Sequence, residues 1–327
     1  MRATPFLAQT LRNALAGSIE ALVQVCPPML DDTSSVQRLS DLKTHLESEP
    51  GESNSSTFDQ PSPGDCLQLT NTARQLLTTL QGWEGGGPNR EVMSSLEQVL
   101  IRLNTDLASA LRQKQAHRVR GLYVIIDPQV TAGREPLAVA AAAVRGGARM
   151  LQLRDKLRDK GESLPLAAAL QELCEANDVL LIINDHLDLA VAVGSGGVHL
   201  GQTDLPVEQA RRVLAPHQVL GRSNREIEQL VESQQMGADH LAFGPIYPTG
   251  TKSIVRQPQG VERLKQARDV ARVPLVAIGG INLENVAPVV AAGADAICVT
   301  AAVGAAPDPE AAASRLVEAI QAAGGQA

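Results

Sequence analysis

From Gly121 to Gly324 the chain repeats one pattern eight times: a short β-branched run, then an Ala- and Leu-rich amphipathic stretch. Few architectures can absorb that. The runs that read as strands are Leu122–Ile126, Met150–Arg154, Leu180–Asn184, Gly197–Leu200, Val219–Ser223, His240–Phe243, Leu275–Ile278 and Ala296–Thr300, and Pro309–Ala322 supplies the last helix. Strands that are apolar at nearly every position must be covered on both faces, and alternation with helices makes them parallel. Eight such units in about 200 residues fit a closed (β/α)8 TIM barrel, an α/β fold whose chemistry sits at the C-terminal ends of the strands. An open doubly wound sheet is the alternative. It calls for a glycine-rich loop after the first strand, and none follows Ile126.

Upstream the spacing is helical only. Leu7, Leu11, Leu15, Ile19 and Leu22 share one face, ended by Pro27-Pro28; Val36, Leu39, Leu42 and Leu46 form a second stripe. Leu69, Ala73, Leu76, Leu80 and Trp83 make a third, and Leu96, Val99, Leu103, Leu107 and Leu111 a fourth. Residues 49–65 (EPGESNSSTFDQPSPGD) offer almost nothing to bury and read as a flexible loop, while Gly85-Gly86-Gly87-Pro88 separates the last two stripes. The expectation is a smaller N-terminal all-α helical domain over 1–116, followed by a barrel domain over 117–327.

Composition narrows the partners. With one Trp, two Tyr and three Phe, the core must be built from Ala, Val, Leu and Ile. A net charge of −7 and a pI near 5.4 argue against nucleic acid, which demands a basic face. Cys26, Cys66, Cys174 and Cys298 show no CxxC or metal-ligand spacing, so reduced thiols in the cytoplasm are expected. No run approaches the ~18 apolar residues of a membrane helix, and polar residues interrupt the N-terminus, which does not read as a signal peptide. Self-association stays open.

The strand ends carry the chemistry. Gln152, Arg154 and Lys156 fall on one side if the second strand extends that far, and two cations with an amide suit a polyanion; a solvated cluster ending a strand is the other reading. The third strand ends Asn184-Asp185-His186, and the fourth leads into Gly201-Gln202-Thr203-Asp204. Carboxylates at neighbouring strand ends make sense if Mg2+ bridges them to a diphosphate, or they cap the helices that follow. His186 and His199 read as structural or supporting. Gly244–Ser253 (GPIYPTGTKS) is either a Lys-bearing lid or a surface turn. Gly279-Gly280 and Thr300-Ala301, after the seventh and eighth strands, stand where such barrels bind phosphate through backbone amides.

QLRDK (152–156), Asn184-Asp185, GVHLGQTDLP (197–206), GPIYPTGTKS (244–253) and AIGGI (277–281), in this order and each at a strand end, together resemble the thiamine phosphate synthase family. The resemblance runs from about Leu122 to the end. It implies coupling of 4-amino-5-hydroxymethyl-2-methylpyrimidine diphosphate to 4-methyl-5-(2-phosphoethyl)thiazole by a dissociative substitution that releases diphosphate, with Mg2+ as cofactor. By motif position it implies Gln152, Arg154 and Lys156 on the diphosphate, Asp185 and Asp204 on Mg2+, and Asn184 and Ser223 on the pyrimidine. It further implies Thr249 and Thr251 on the thiazole phosphate side, Lys252 on the diphosphate, and Gly280, Thr300 and Ala301 around the thiazole phosphate. Arg154, Lys156 and Lys252 would then be the catalytic cations. The chain departs from the family at Ala301, where Ser is frequent, and around Arg222–Arg225. The N-terminal helical region is an extension beyond the minimal enzyme.

Overall fold

The computed structural model describes residues 5–25, 27, 34–46, 63–81, 90–249 and 257–326. The chain forms two compact units, Met1–Leu111 and Arg112–Ala327. The first contains α1 (Pro5–Val25), α2 (Ser34–Leu46), α3 (Pro63–Gln81) and most of α4 (Arg90–Ala116). Its core takes Leu15, Ile19 and Leu22 from α1, Val36 and Leu39 from α2, and Leu96, Val99, Leu103 and Leu107 from α4.

The third helix differs from its expected stripe. Its buried line is Cys66, Thr70, Ala73 and Leu77, while Leu69 and Leu76 lie only at the edge. Thr70 can be buried because its hydroxyl donates to the Cys66 carbonyl one turn back, at 2.8 Å. Pro63, which has no N–H to lose in a first turn, starts α3. The last three residues of the expected 49–65 loop are therefore helical, and residues 49–62 lie outside the described residues. Trp83, Gly85–Pro88, Cys26 and the side chains of Leu7, Leu11, Leu42, Leu46 and Leu80 lie outside them too.

The second unit is a closed barrel of eight parallel strands in sequential order. These are β1 (Gly121–Ile126), β2 (Met150–Leu153), β3 (Leu180–Asn184), β4 (Gly197–Leu200), β5 (Val219–Asn224), β6 (His240–Phe243), β7 (Leu275–Ile278) and β8 (Ala296–Val299). Helices α5 (Pro136–Arg145), α6 (Lys160–Ala176), α7 (Leu187–Ala192), α8 (Val207–Arg211), α9 (Ile227–Gln235), α10 (Gly260–Val270), α11 (Val286–Ala291), α12 (Ala301–Gly304) and α13 (Pro309–Ala322) surround it.

Alternation explains the unbroken apolar strands. Leu122, Val124, Ile126, Leu151 and Leu153 point outward into the helix layer, whereas Tyr123, Ile125, Met150, Leu180 and Ile182 fill the interior. The strand ends differ from expectation by one residue. β2 stops at Leu153, β5 runs on to Asn224, and β8 stops at Val299 because Thr300 opens α12. Among the described residues no helix is long and apolar enough to cross a membrane.

Candidate active site

β2 ends at Leu153, and although the Arg154 amide still donates to the Ile126 carbonyl at 3.0 Å, alternation cannot place Lys156. Asp155 does that. Its buried carboxylate accepts the Leu157 and Arg158 amides at 3.1 and 3.2 Å, the Arg158 Nε at 2.6 Å and the Ser163 hydroxyl at 3.0 Å. Burial alone would raise its pKa, but these donors more than offset that and hold it below the usual carboxylate value. The turn they build leaves Lys156 beside Asp185, its ammonium donating to that carboxylate.

Asp185 occupies an unusual backbone state. It sits at φ +61° in the centre of a three-residue turn closed by the His186 amide and the Asn184 carbonyl at 2.8 Å. Positive φ in such a turn is rare and strained for a residue with a side chain. Its own amide donates to the His199 carbonyl at 2.9 Å, which pins the end of β3 to β4. Asp204 comes from the next loop, where its carboxylate accepts the Gly201 amide at 2.6 Å. Neither acid caps a helix: His186 and Pro206 occupy those positions. Instead the two carboxylates meet. Burial, and after it the proximity of Asp185, push the Asp204 pKa up, while the Gly201 amide and Lys156 pull it down.

Arg154 is engaged one strand away. Its guanidinium pairs with Asp127, a carboxylate 2% exposed at the end of β1 that also accepts the Gln129 amide at 3.0 Å. Below the rim, Gln152 is buried inside the barrel and donates to the Tyr123 hydroxyl at 2.6 Å. Burial pushes that phenol well above its usual pKa, so it stays neutral. Asn184 and Ser223 also face inward, and His199 Nε2 lies 2.9 Å from the Ser223 hydroxyl. His240, fully buried, packs against His199 with ring centroids 5.7 Å apart. Gly221 makes room for both, since a Cβ there would overlap the two imidazoles.

The opposite side of the mouth is glycine-built. Gly279 and Gly280 adopt φ +102° and +67°. Gly279 takes the Tyr247 amide on its carbonyl at 2.9 Å, and a Cβ on Gly280 would run into Pro248 and Tyr247. The β6 loop that carries Thr249 is thereby laid across the end of β7. Thr300 precedes α12, whose first-turn amides, those of Ala301 and Ala302, have no acceptor within the helix. Thr251 and Lys252 lie outside the described residues.

The rim thus brings together Lys156, Asp185 and Asp204, while Arg154 pairs with Asp127 at the ends of β2 and β1. Asp127 and the inward Tyr123 are additions to the expected set; an acid directly after β1 is the same signal that picked out Asp185. The donors fit Mg2+. Two neighbouring carboxylates, with the pKa of Asp204 raised by burial and by the nearness of Asp185, gain from a divalent cation. Among the described residues no group of three or more His, Cys, Asp or Glu is gathered for a metal. A pair of acids that leaves further positions to water and phosphate oxygens is the usual Mg2+ arrangement.

The family model described as thiamine monophosphate synthase matches residues 122–303. The N-terminal helices lie outside that match. The chain is 44% identical over 211 residues to the thiamine-phosphate synthase of Albidiferax ferrireducens, covering 63% of this chain and 96% of that protein. It is 45% identical over 202 residues to the one from Thioalkalivibrio sulfidiphilus, covering 61% and 94%. Among solved structures, thiamine phosphate pyrophosphorylase from Pyrococcus furiosus superposes with a TM-score of 0.59 at 32% identity, over 64% of this chain and 99% of that one.

Proposed function

This chain belongs to the thiamine monophosphate synthase family and is an enzyme of thiamine phosphate formation, and from that premise we propose the substrates and the roles of its residues. The reaction joins 4-amino-5-hydroxymethyl-2-methylpyrimidine diphosphate to 4-methyl-5-(2-phosphoethyl)thiazole and releases diphosphate. The C–O bond to diphosphate breaks first, and the thiazole nitrogen then captures the pyrimidine methylene cation. The observation that carries this reading is the cluster of Lys156, Asp185 and Asp204 on adjacent strand ends.

Asp185 and Asp204 would hold Mg2+, which when bound neutralises charge on the departing diphosphate. Lys156, whose ammonium donates to Asp185, would also serve the diphosphate oxygens as a point charge. Arg154, oriented by Asp127, grips the same group, since a guanidinium matches phosphate geometry in a way an ammonium does not. By motif position Lys252 is assigned to the diphosphate, and Thr251 to the thiazole phosphate side. Gln152, 3% exposed beneath the rim, is better sited for the pyrimidine than for the diphosphate, alongside Asn184 and Ser223. Gly280 and the first-turn amides at Thr300–Ala301 take the thiazole phosphate, a contact through backbone N–H groups that needs no hydroxyl at position 301. Thr249 borders that phosphate. No side chain acts as nucleophile or general base. Cys66, Cys174 and Cys298 are buried and outside any disulfide, which fits an enzyme working in the reducing cytoplasm.

The test is diphosphate release with both substrates, with and without Mg2+. The reading expects release only when the pyrimidine diphosphate, the thiazole phosphate and the metal are all present. An enzyme that only binds or isomerises the thiazole phosphate would release none.

A further inference from the structure

Arg222 has no part in the chemistry above, yet it is a buried cation in the layer between barrel and helices. It lies between the inward-facing Gly221 and Ser223, so its own side chain points outward, and it is 8% exposed. A buried guanidinium is costly to desolvate, and burial pulls its pKa below the ordinary arginine value. An apolar residue would fill this layer at no such cost.

What Arg222 holds is specific. Nη1 donates to the Leu205 carbonyl at 3.3 Å and Nη2 to the Gln202 carbonyl at 3.4 Å. These two carbonyls bracket Asp204, and the charge of Arg222 is felt by that carboxylate and by Glu232. The same loop is tied a second time, because the Gln202 side-chain amide donates to the Ser223 carbonyl and to Asn224 Oδ1. Asn224 is fixed in turn by the Ser233 hydroxyl at 2.7 Å. Without the guanidinium, Asp204 would keep the internal bonds of its loop to Gly201 and the single Gln202 tether.

We propose that Arg222 is a positioning residue: its fork clasps the 202–205 loop from behind and holds Asp204 against Asp185, in the arrangement that accepts a divalent cation. This rests on the assignment of the two acids to the metal. Partners that orient metal ligands typically contribute about 10-fold or more to metal affinity.

The test uses the full chain and Mn2+ alone, followed by loss of the free-ion EPR signal, with Mg2+ activation of turnover measured in parallel. Asp204→Asn is the control for the metal assignment. Arg222→Met keeps the stem and removes charge and donors; it is expected to weaken Mn2+ binding about 10-fold and to raise the Mg2+ activation midpoint by a similar factor. Turnover at saturating Mg2+ should fall much less. Arg222→Lys keeps the charge but cannot span two carbonyls, and it is expected to bind Mn2+ more weakly than the parent. It decides alone if the Met variant does not fold. Unchanged Mn2+ affinity in the Arg222 variants, with loss in Asp204→Asn, would overturn the role of Arg222 and leave the metal site standing. Unchanged affinity in Asp204→Asn would overturn the metal assignment and the clasp with it.

Discussion

His240 makes the stability of the barrel depend on pH in a calculable way. The ring is fully buried, neither nitrogen has a hydrogen-bond partner among the described residues, and burial, reinforced by His199 and Arg211, pulls its pKa well below 6.5. The folded protein keeps His240 neutral, whereas the unfolded chain protonates it below about pH 6.5. The unfolded state therefore binds more protons in that window, and stability rises with pH through it. The contribution is fully present above pH 6.5 and drains away as pH falls, approaching about 1.4 kcal/mol per pH unit. If folded His240 remains neutral to pH 5, the loss between pH 7 and pH 5 is about 2 kcal/mol. Urea unfolding of the parent and of His240→Gln at both pH values isolates it, because the other titrating groups cancel in the difference. The parent should lose about 2 kcal/mol more than the variant. Equal losses would mean that His240 is protonated, or reaches water, in the folded protein.

Four other perturbations test the rim and the unit boundary. Asp185→Ala should lower kcat at least about 100-fold with little change in Tm, checked by diphosphate release and by melting; substantial turnover at ordinary Mg2+ would remove Asp185 from the site. Asp127→Asn releases Arg154, and kcat/KM for the pyrimidine diphosphate should fall about 10-fold while that for the thiazole phosphate changes little. Gly221→Ala forces a methyl group into His199 and His240 and should destabilise the protein by about 1–3 kcal/mol in urea unfolding. A chain beginning at Arg112 should fold and turn over in the same assay. Starting later is expected to weaken it, because Arg112 donates to the Pro216 carbonyl at 2.7 Å and is drawn to Asp239.

The barrel was readable because its strands must be apolar on both faces, a demand that leaves runs such as Leu180–Ile183 with few other destinations. The acids at Asp185 and Asp204 stood out for a related reason: each follows a strand at the end where a barrel presents its mouth. What escaped depends on partners distant in sequence. Asp127 meets Arg154, and Arg222 meets Gln202 and Leu205, only once neighbouring strands are in register. Lys156 reaches Asp185 through the turn that Asp155 builds, which no two-residue alternation describes. In α3 the hydroxyl of Thr70 is satisfied within its own helix, so a residue that looks polar lies in the core and shifts the apparent stripe.

A crystal of the full chain soaked with Mn2+ and inorganic diphosphate would test the arrangement at the rim most directly, through the anomalous signal of the metal. The account predicts one Mn2+ peak between the carboxylates of Asp185 and Asp204, at about 2.2 Å from oxygens of both, with the diphosphate against Arg154 and Lys156. A peak elsewhere, or diphosphate bound away from these two cations, would contradict it.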